Sequence, residues 1–395
     1  MRILSIFVLM ALLGASAVLS AQTRDENIKR CTGDDPDLSI AGCTALIQSR
    51  QESNIFLSAA FNNRGMAYRD KGDYDRAIQD YDQAIRLNPS YVSAFNNRGN
   101  AYNHKGDYDR AIQDYDQAIR LNPNYANGFY NRGMAYDNKG DYDRAVQDYD
   151  QALRLNPSFA FAFNNRGIAY ESKGEYDRAI QDYDQAIRLN PSFANAFNSR
   201  CFARAILGQL QLALSDCNQS LALSPNDTYT LNSRGFVYLK MRNPDAAIAD
   251  FNAALAINSR MAFSLYGRGL AERIKGDQAA ADKDIAAAKA IQADIADQFA
   301  KWGVVLSMTD NNATKWVRAG IGDYPGRDWS SSVGFTPDES KCQPDHAGQT
   351  AVCWDGASYR NRLDQSGQAW CTYKDIGPGD AQGGISPGVL YVCHP

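Results

Sequence analysis

Residues 61–65 read Phe61-Asn62-Asn63-Arg64-Gly65, and the same phrase stands 34 residues later as Phe95-Asn96-Asn97-Arg98-Gly99. It returns from Phe129, Phe163 and Phe197, then in weaker form from Leu231 and Leu265. A second phrase, Gly-Asp-Tyr-Asp-Arg-Ala-Ile/Val-Gln-Asp-Tyr-Asp-Gln-Ala, keeps the same interval from Gly72, Gly106 and Gly140, and from Gly174 with Glu175 in the Asp place. A strict period of this length indicates a stacked solenoid, in which each unit buries its apolar face against its neighbours. Starting at Ser58, the chain divides into seven units: 58–91, 92–125, 126–159, 160–193, 194–227, 228–261 and 262–295.

In the first unit, Phe61, Arg64/Gly65 and Tyr68 are spaced as one stripe of a helix, and Ala77, Tyr81 and Ala84 as the stripe of a second. Gly72 breaks the chain between them, and Asn88-Pro89 ends the second helix. Gly65, Ala77 and Ala84 are small where two helices must approach, and Tyr81 fills the space beside them. Aromatic, Gly, Tyr, Ala, Tyr, Ala and Pro at these offsets resemble the signature of the tetratricopeptide repeat family over residues 58–295. The resemblance implies a mainly α fold: antiparallel helix pairs stacked as a right-handed α-solenoid with a concave groove. The pattern weakens along the chain. Cys201 takes the Gly place and Arg204 the Tyr place of the fifth unit, Ser259 replaces Pro in the sixth, and the seventh keeps little beyond Arg268-Gly269.

Two charge patterns recur. The seventh place of each unit is Arg and the twenty-third is Asp, giving Arg64 with Asp80, Arg98 with Asp114, Arg132 with Asp148 and Arg166 with Asp182, and persisting to Arg268 with Asp284. One residue on each helix of a hairpin suits a structural ion pair. Asp82 with Arg86 reads instead as an i,i+4 pair on a solvated face, a spacing that contributes about 0.2–0.5 kcal/mol.

The second, fifth, ninth and twelfth places of each first helix form a further stripe, which in the tetratricopeptide family lines the groove. The expected groove residues are Asn62, Asn63, Asn96, Asn97, Asn100, Tyr130, Asn131, Asn164, Asn165, Asn198, Phe202, Asn232, Phe236 and Tyr266. A primary amide both donates and accepts, so a row of them matches a peptide backbone with little sequence preference. The row resembles the asparagine ladder of O-linked N-acetylglucosamine transferase repeats. The plainer alternative is that duplication spread Asn along a wet groove. Units five to seven, from Asn195 to Ile274, carry individually distinct residues at these places, so a specific partner is expected to be read there.

The ends are of another kind. Met1-Arg2, the apolar run from Ile3 to Leu13 and the small residues through Ala21 have the layout of a secretory signal, residues 1–21, implying an exported, periplasmic or extracellular protein that spans no membrane after cleavage. Eight cysteines then read as disulfides; a zinc site lacks C-x-x-C spacing, and no other metal or cofactor motif is present. Cys31 and Cys43 are expected to staple an N-terminal cap over residues 22–57, and Cys201 with Cys217 to bridge the fifth hairpin. Residues 296–340 read as a helix end and linker. Residues 341–395 read as a small module of mixed or β character, held by disulfides among Cys342, Cys353, Cys371 and Cys393 in any of three connectivities.

A formal net charge of -4 without a basic stripe argues against nucleic acid. No nucleophile–base or nucleotide motif supports an enzyme. The expected function is a scaffold binding a peptide or protein partner in the groove. The alternatives are an envelope adaptor whose C-terminal module binds cell-wall glycan, and an enzyme with its activity in that module.

Overall fold

A computed structural model describes residues 23–49 and 51–304 in full, and the backbone of residues 342–344, 350–354, 358–363, 369–373 and 390–393. The expected signal segment and most of the expected linker lie outside the described residues. The chain divides into two compact units, Met1–Arg234 and Gly235–Pro395, and each is taken by itself.

The first unit opens with α1, described over residues 23–31, and α2 (Pro36–Ser49). Helix pairs follow at the repeat interval: α3 (Asn54–Asp70) with α4 (Tyr74–Leu87), α5 (Val92–His104) with α6 (Tyr108–Leu121), and α7 (Ala126–Asn138) with α8 (Tyr142–Leu155). Then come α9 (Ala160–Ser172) with α10 (Tyr176–Leu189), and α11 (Ala194–Ile206) with α12 (Leu210–Leu223). Local chemistry sets the breaks. Gly72, Gly106, Gly140 and Gly174 take φ of 76–79° just past each first helix, where a left-handed residue turns the chain. Asp73, Asp107 and Asp141 then cap the second helices by accepting from the backbone N–H groups of Arg76, Arg110 and Arg144.

Close approach decides the packing. Tyr81, Tyr115, Tyr149 and Tyr183 are wholly buried, each with its ring against the glycine of its own first helix. A Cβ at Gly65 would stand 2.7 Å from Tyr81 Cε1, so no larger residue fits there unless the ring moves. In the fifth pair the glycine and tyrosine places hold Cys201 and Cys217, which form a disulfide with a Cα–Cα separation of 5.4 Å. A second disulfide, Cys31–Cys43, ties α1 to α2 beside Leu46, Ala60 and Phe56.

The repeated arginines are fork-bonded. Arg64 donates from Nε and Nη2 to the two oxygens of Asp80, both at 2.8 Å. Arg98 does the same to Asp114 at 2.9 and 2.6 Å, and its remaining Nη1 donates to Asp82 of the preceding unit at 2.5 Å. Arg132 to Asp116, Arg166 to Asp150 and Arg200 to Asp184 repeat that third bond. This corrects the expected Asp82–Arg86 pair: Arg86 turns to Gln83 instead. The carboxylate is drawn across the stack because the neighbouring guanidinium, already half-buried, has one nitrogen left to satisfy. Arg64 has no preceding unit, and Thr44 Oγ1 of α2 accepts its third bond at 3.0 Å.

In the second unit, the described helical residues are the end of α13 (Thr228–Lys240), α14 (Pro244–Ile257), α15 (Ala262–Lys275), α16 (Gln278–Ile291) and α17 (Ile295–Lys301). Phe251 lies between Gly235 and Gly267, and Arg268 forks onto Asp284 while reaching Asn252 at 2.6 Å. Five short backbone segments, β1 (Cys342–Pro344), β2 (Thr350–Trp354), β3 (Ser358–Leu363), β4 (Ala369–Tyr373) and β5 (Leu390–Cys393), pair antiparallel in chain order. The side chains of Cys342, Cys353, Cys371 and Cys393 lie outside the described residues. Among the described residues, no helix is long and apolar enough to cross a membrane.

Candidate functional site

In the first unit, successive first helices α3, α5, α7, α9 and α11 touch one another, whereas each second helix meets the next repeat chiefly through that repeat's first helix. The first helices therefore form the inner face of this array.

The fifth-place amides are not open on that face. Asn62, Asn96 and Asn164 are 4–5% exposed. Asn97 Nδ2 donates to Asn62 Oδ1 at 3.0 Å, Asn131 Nδ2 to Asn96 Oδ1 at 2.8 Å, and Asn165 Nδ2 to the hydroxyl of Tyr130 at 3.0 Å. The sixth place of one unit thus bonds the fifth place of the unit before it. Two amides meeting between parallel helices satisfy each other, which corrects the reading of Asn62 and Asn96 as a free ladder; Asn164 is buried as well, its Nδ2 donating to Asn165 Oδ1 at 3.2 Å. Asn63 accepts from Asn62 at 3.4 Å, and Asn100 Oδ1 accepts from the Tyr115 hydroxyl at 2.7 Å. Asn198 and Phe202 on α11 stay partly exposed.

The distinct residues of the later repeats are also relocated. In the second unit Phe236 is fully buried and Tyr266 nearly so. The cause is α17, whose Phe299 has no exposed surface and stands 5.7 Å from Phe236, 4.8 Å from Phe263 and 4.8 Å from Tyr266 between ring centroids. Trp302 adds an edge to the cluster, and Lys240 Nζ donates to its carbonyl oxygen at 3.0 Å. Asn232, at the end of the first unit, is buried as well. Phe236 and Tyr266 therefore line a filled space, not an open groove, because the chain's own aromatic helix takes the places a ligand would use.

What remains open is the inner face of the first unit. Met66 and Phe161 are exposed there, and Tyr130 packs on Phe159 at 4.7 Å between ring centroids. The twelfth place carries two partly enclosed carboxylates in successive repeats, Asp137 and Glu171. Burial pushes Asp137 up to about 6. Burial pushes Glu171 up to about 7, opposed by a hydrogen bond from the Tyr183 hydroxyl at 3.0 Å. Reading the stripe by its fifth, sixth and ninth places passed over both. The signal was there in the twelfth place, which runs Arg69, Asn103, Asp137, Glu171 through units that are otherwise near copies. Among the described residues, no three His, Cys, Asp or Glu side chains converge as a metal site.

Known proteins agree with this architecture. A tetratricopeptide repeat model matches residues 62–126, 130–194 and 166–228, and a second tetratricopeptide repeat model matches residues 229–260. A tetratricopeptide repeat protein from Parabacteroides merdae is 21% identical with a TM-score of 0.51, covering 63% of this chain and 99% of its own. The APC/C Cut9–Hcn1 hetero-tetramer is 20% identical with a TM-score of 0.50, covering 64% of this chain and 51% of the other. MamA is 28% identical over 40% of this chain and 93% of its own, with a TM-score of 0.38. No curated protein matches the chain. The repeat spacing, the tyrosine-on-glycine packing and the two matching repeat models lead to one statement: the chain belongs to the tetratricopeptide repeat family.

Proposed function

We propose that this chain is an exported scaffold for protein–protein interaction, and that it holds an extended peptide or a segment of a partner protein along the inner face of α3 to α11. One observation carries the reading. In units one to four the second helix opens Tyr-Asp-Arg-Ala-Ile/Val-Gln-Asp-Tyr-Asp-Gln-Ala in every copy. Differences gather on the first helix. The second place reads Ala59, Ser93, Asn127 and Phe161, the ninth Met66, Asn100, Met134 and Ile168, and the twelfth Arg69, Asn103, Asp137 and Glu171. Copies held alike on the scaffold side and varied along one open face are what a read surface requires.

Export fits two disulfides, which persist in oxidising compartments. Residues 341–395 belong to the same proposal as a small disulfide-supported β module, in keeping with the antiparallel backbone pairing there.

Site-specific photocrosslinking tests the groove. A benzophenone side chain at Met134 or Ile168 should give discrete adducts in an envelope extract, while one at Arg86 or Arg120 on the outer surface should not. Equal labelling from both faces would sink the reading.

A further inference from the structure

Unit four is a near copy of unit two, and three of the places where they part lose a polar group. Ser93 is matched by Phe161 at the second place, Asn100 by Ile168 at the ninth, and Tyr125 by Phe193 at the thirty-fourth. The result is a pair of rings at water. Phe161, in the first turn of α9, is 52% exposed, and its ring packs 4.9 Å from that of Phe193, the residue that opens α11. Phe193 is itself only partly covered. Two large apolar rings set side by side in the open are the mark of a contact surface, where a third ring has favourable tilted or edge geometries to adopt.

The molecule itself shows what such a place accepts. In the second unit, Phe299 of α17 lies against Phe236, Phe263 and Tyr266 and has no exposed surface. Those three stand at the ninth place of unit six and the second and fifth places of unit seven. The same three places at the joint of units three and four hold Met134, Phe161 and Asn164. The two earlier joints are more polar, with Met66, Ser93 and Asn96, then Asn100, Asn127 and Tyr130. So Phe161 is the repeat equivalent of Phe263, with the ring present and the covering helix absent from the first unit. The chain's own α17 is already committed, since Phe299 is wholly buried in the second unit, and a second copy would have to give up that packing to supply it.

We propose that Phe161, with Phe193 beside it and Met134 from the repeat before, receives an aromatic side chain carried on a short helix of a partner protein, in the register in which Phe236, Phe263 and Tyr266 take Phe299. The assignment rests on the reading of the inner face as a binding surface and names the ligand class at one place on it. The probe is a free peptide of residues 292–304, labelled at its N-terminus and added to the full chain. Fluorescence anisotropy should show binding that weakens at least about tenfold, or about 1.4 kcal/mol, when Phe299 of the peptide is changed to Ala. Phe161→Ala in the protein should cause the same loss with an unchanged circular dichroism spectrum, and the two changes together should lose little more than either alone.

A benzophenone side chain at position 299 of the peptide locates the contact. Adducts within residues 160–200 support the receptor. Adducts within residues 228–275 would mean that the peptide has only exchanged with α17, and would overturn it. No binding at millimolar peptide, or binding indifferent to Phe161→Ala, would overturn it too. Self-association of the chain in sedimentation equilibrium that Phe161→Ala abolishes would put a second copy there in place of a partner. The scaffold reading is judged separately, by crosslinking from Met134 and Ile168 in envelope extract. Adducts there that survive Phe161→Ala would leave the scaffold standing without the aromatic receptor. Peptide binding at Phe161 with no adducts from either position would keep the receptor and overturn the scaffold reading.

Discussion

Arg98 uses all three of its nitrogens, two on Asp114 and one on Asp82. The two acids are not equivalent, since the Asp114 side chain is 8% exposed and that of Asp82 47%. Removing the arginine strands a buried charge, so Arg98→Ala should lower stability by about 3 kcal/mol, while Asp82→Ala should cost at most about 1 kcal/mol. Urea unfolding of the two variants measures the difference. Asp137 has the opposite sign of effect. Its carboxyl is raised from 3.8 to about 6, so between those values the folded chain holds a proton that the unfolded chain has released. Its contribution is favourable at low pH and is lost as pH rises through that window. Asp137→Asn should therefore raise the thermal midpoint above about pH 7 and change it little near about pH 4. The Arg64–Asp80 type of pair is legible in the sequence because both places repeat without exception. The partner of Asp82 is not, because an i,i+4 neighbour and a residue in the next repeat compete for it, and only the stacking geometry chooses. Asp137 and Glu171 are hidden for another reason: in an acid-rich repeat they look like solvated surface until their burial is known.

At the scale of the helix pair, glycine has two separate jobs. Gly99 makes room, since a Cβ there would lie 2.7 Å from Tyr115 Cε1. Gly106 supplies a φ of 77° with open space around it. Gly99→Ala should destabilise by about 1–3 kcal/mol through overpacking, and Gly106→Ala by about 1 kcal/mol through backbone strain alone. Thermal melts followed by circular dichroism should rank them in that order, and the reverse order would show that the ring can move aside. Such helix pairs are readable in advance because their apolar spacing, caps and breaks all lie within one 34-residue window. The insertion of α17 is not. Phe299 gathers Phe236 and Phe263 from helices distant in sequence, and a seven-residue helix carries no period that could announce where it docks.

At the scale of the whole molecule, the two units differ in what their first helices leave free. In the second unit, α17 fills the inner aromatic patch, so Phe299→Ala should cost about 3–5 kcal/mol locally and open that patch. A hydrophobic dye would report it: the variant should bind dye under conditions where the parent does not, and no gain in dye signal would mean the patch closes by itself. In the first unit, every joint from unit one to unit five uses the same third bond, Arg98 to Asp82, Arg132 to Asp116, Arg166 to Asp150 and Arg200 to Asp184. Interchangeable joints make the repeat a cassette. Excising residues 92–125 would offer Arg132 to Asp82 in the register that Arg98 had, and duplicating them would add one more identical joint. A gene built this way can gain or lose whole units by slippage without redesigning any interface, so its length is free to drift between strains while the order of inner-face residues is reshuffled one cassette at a time.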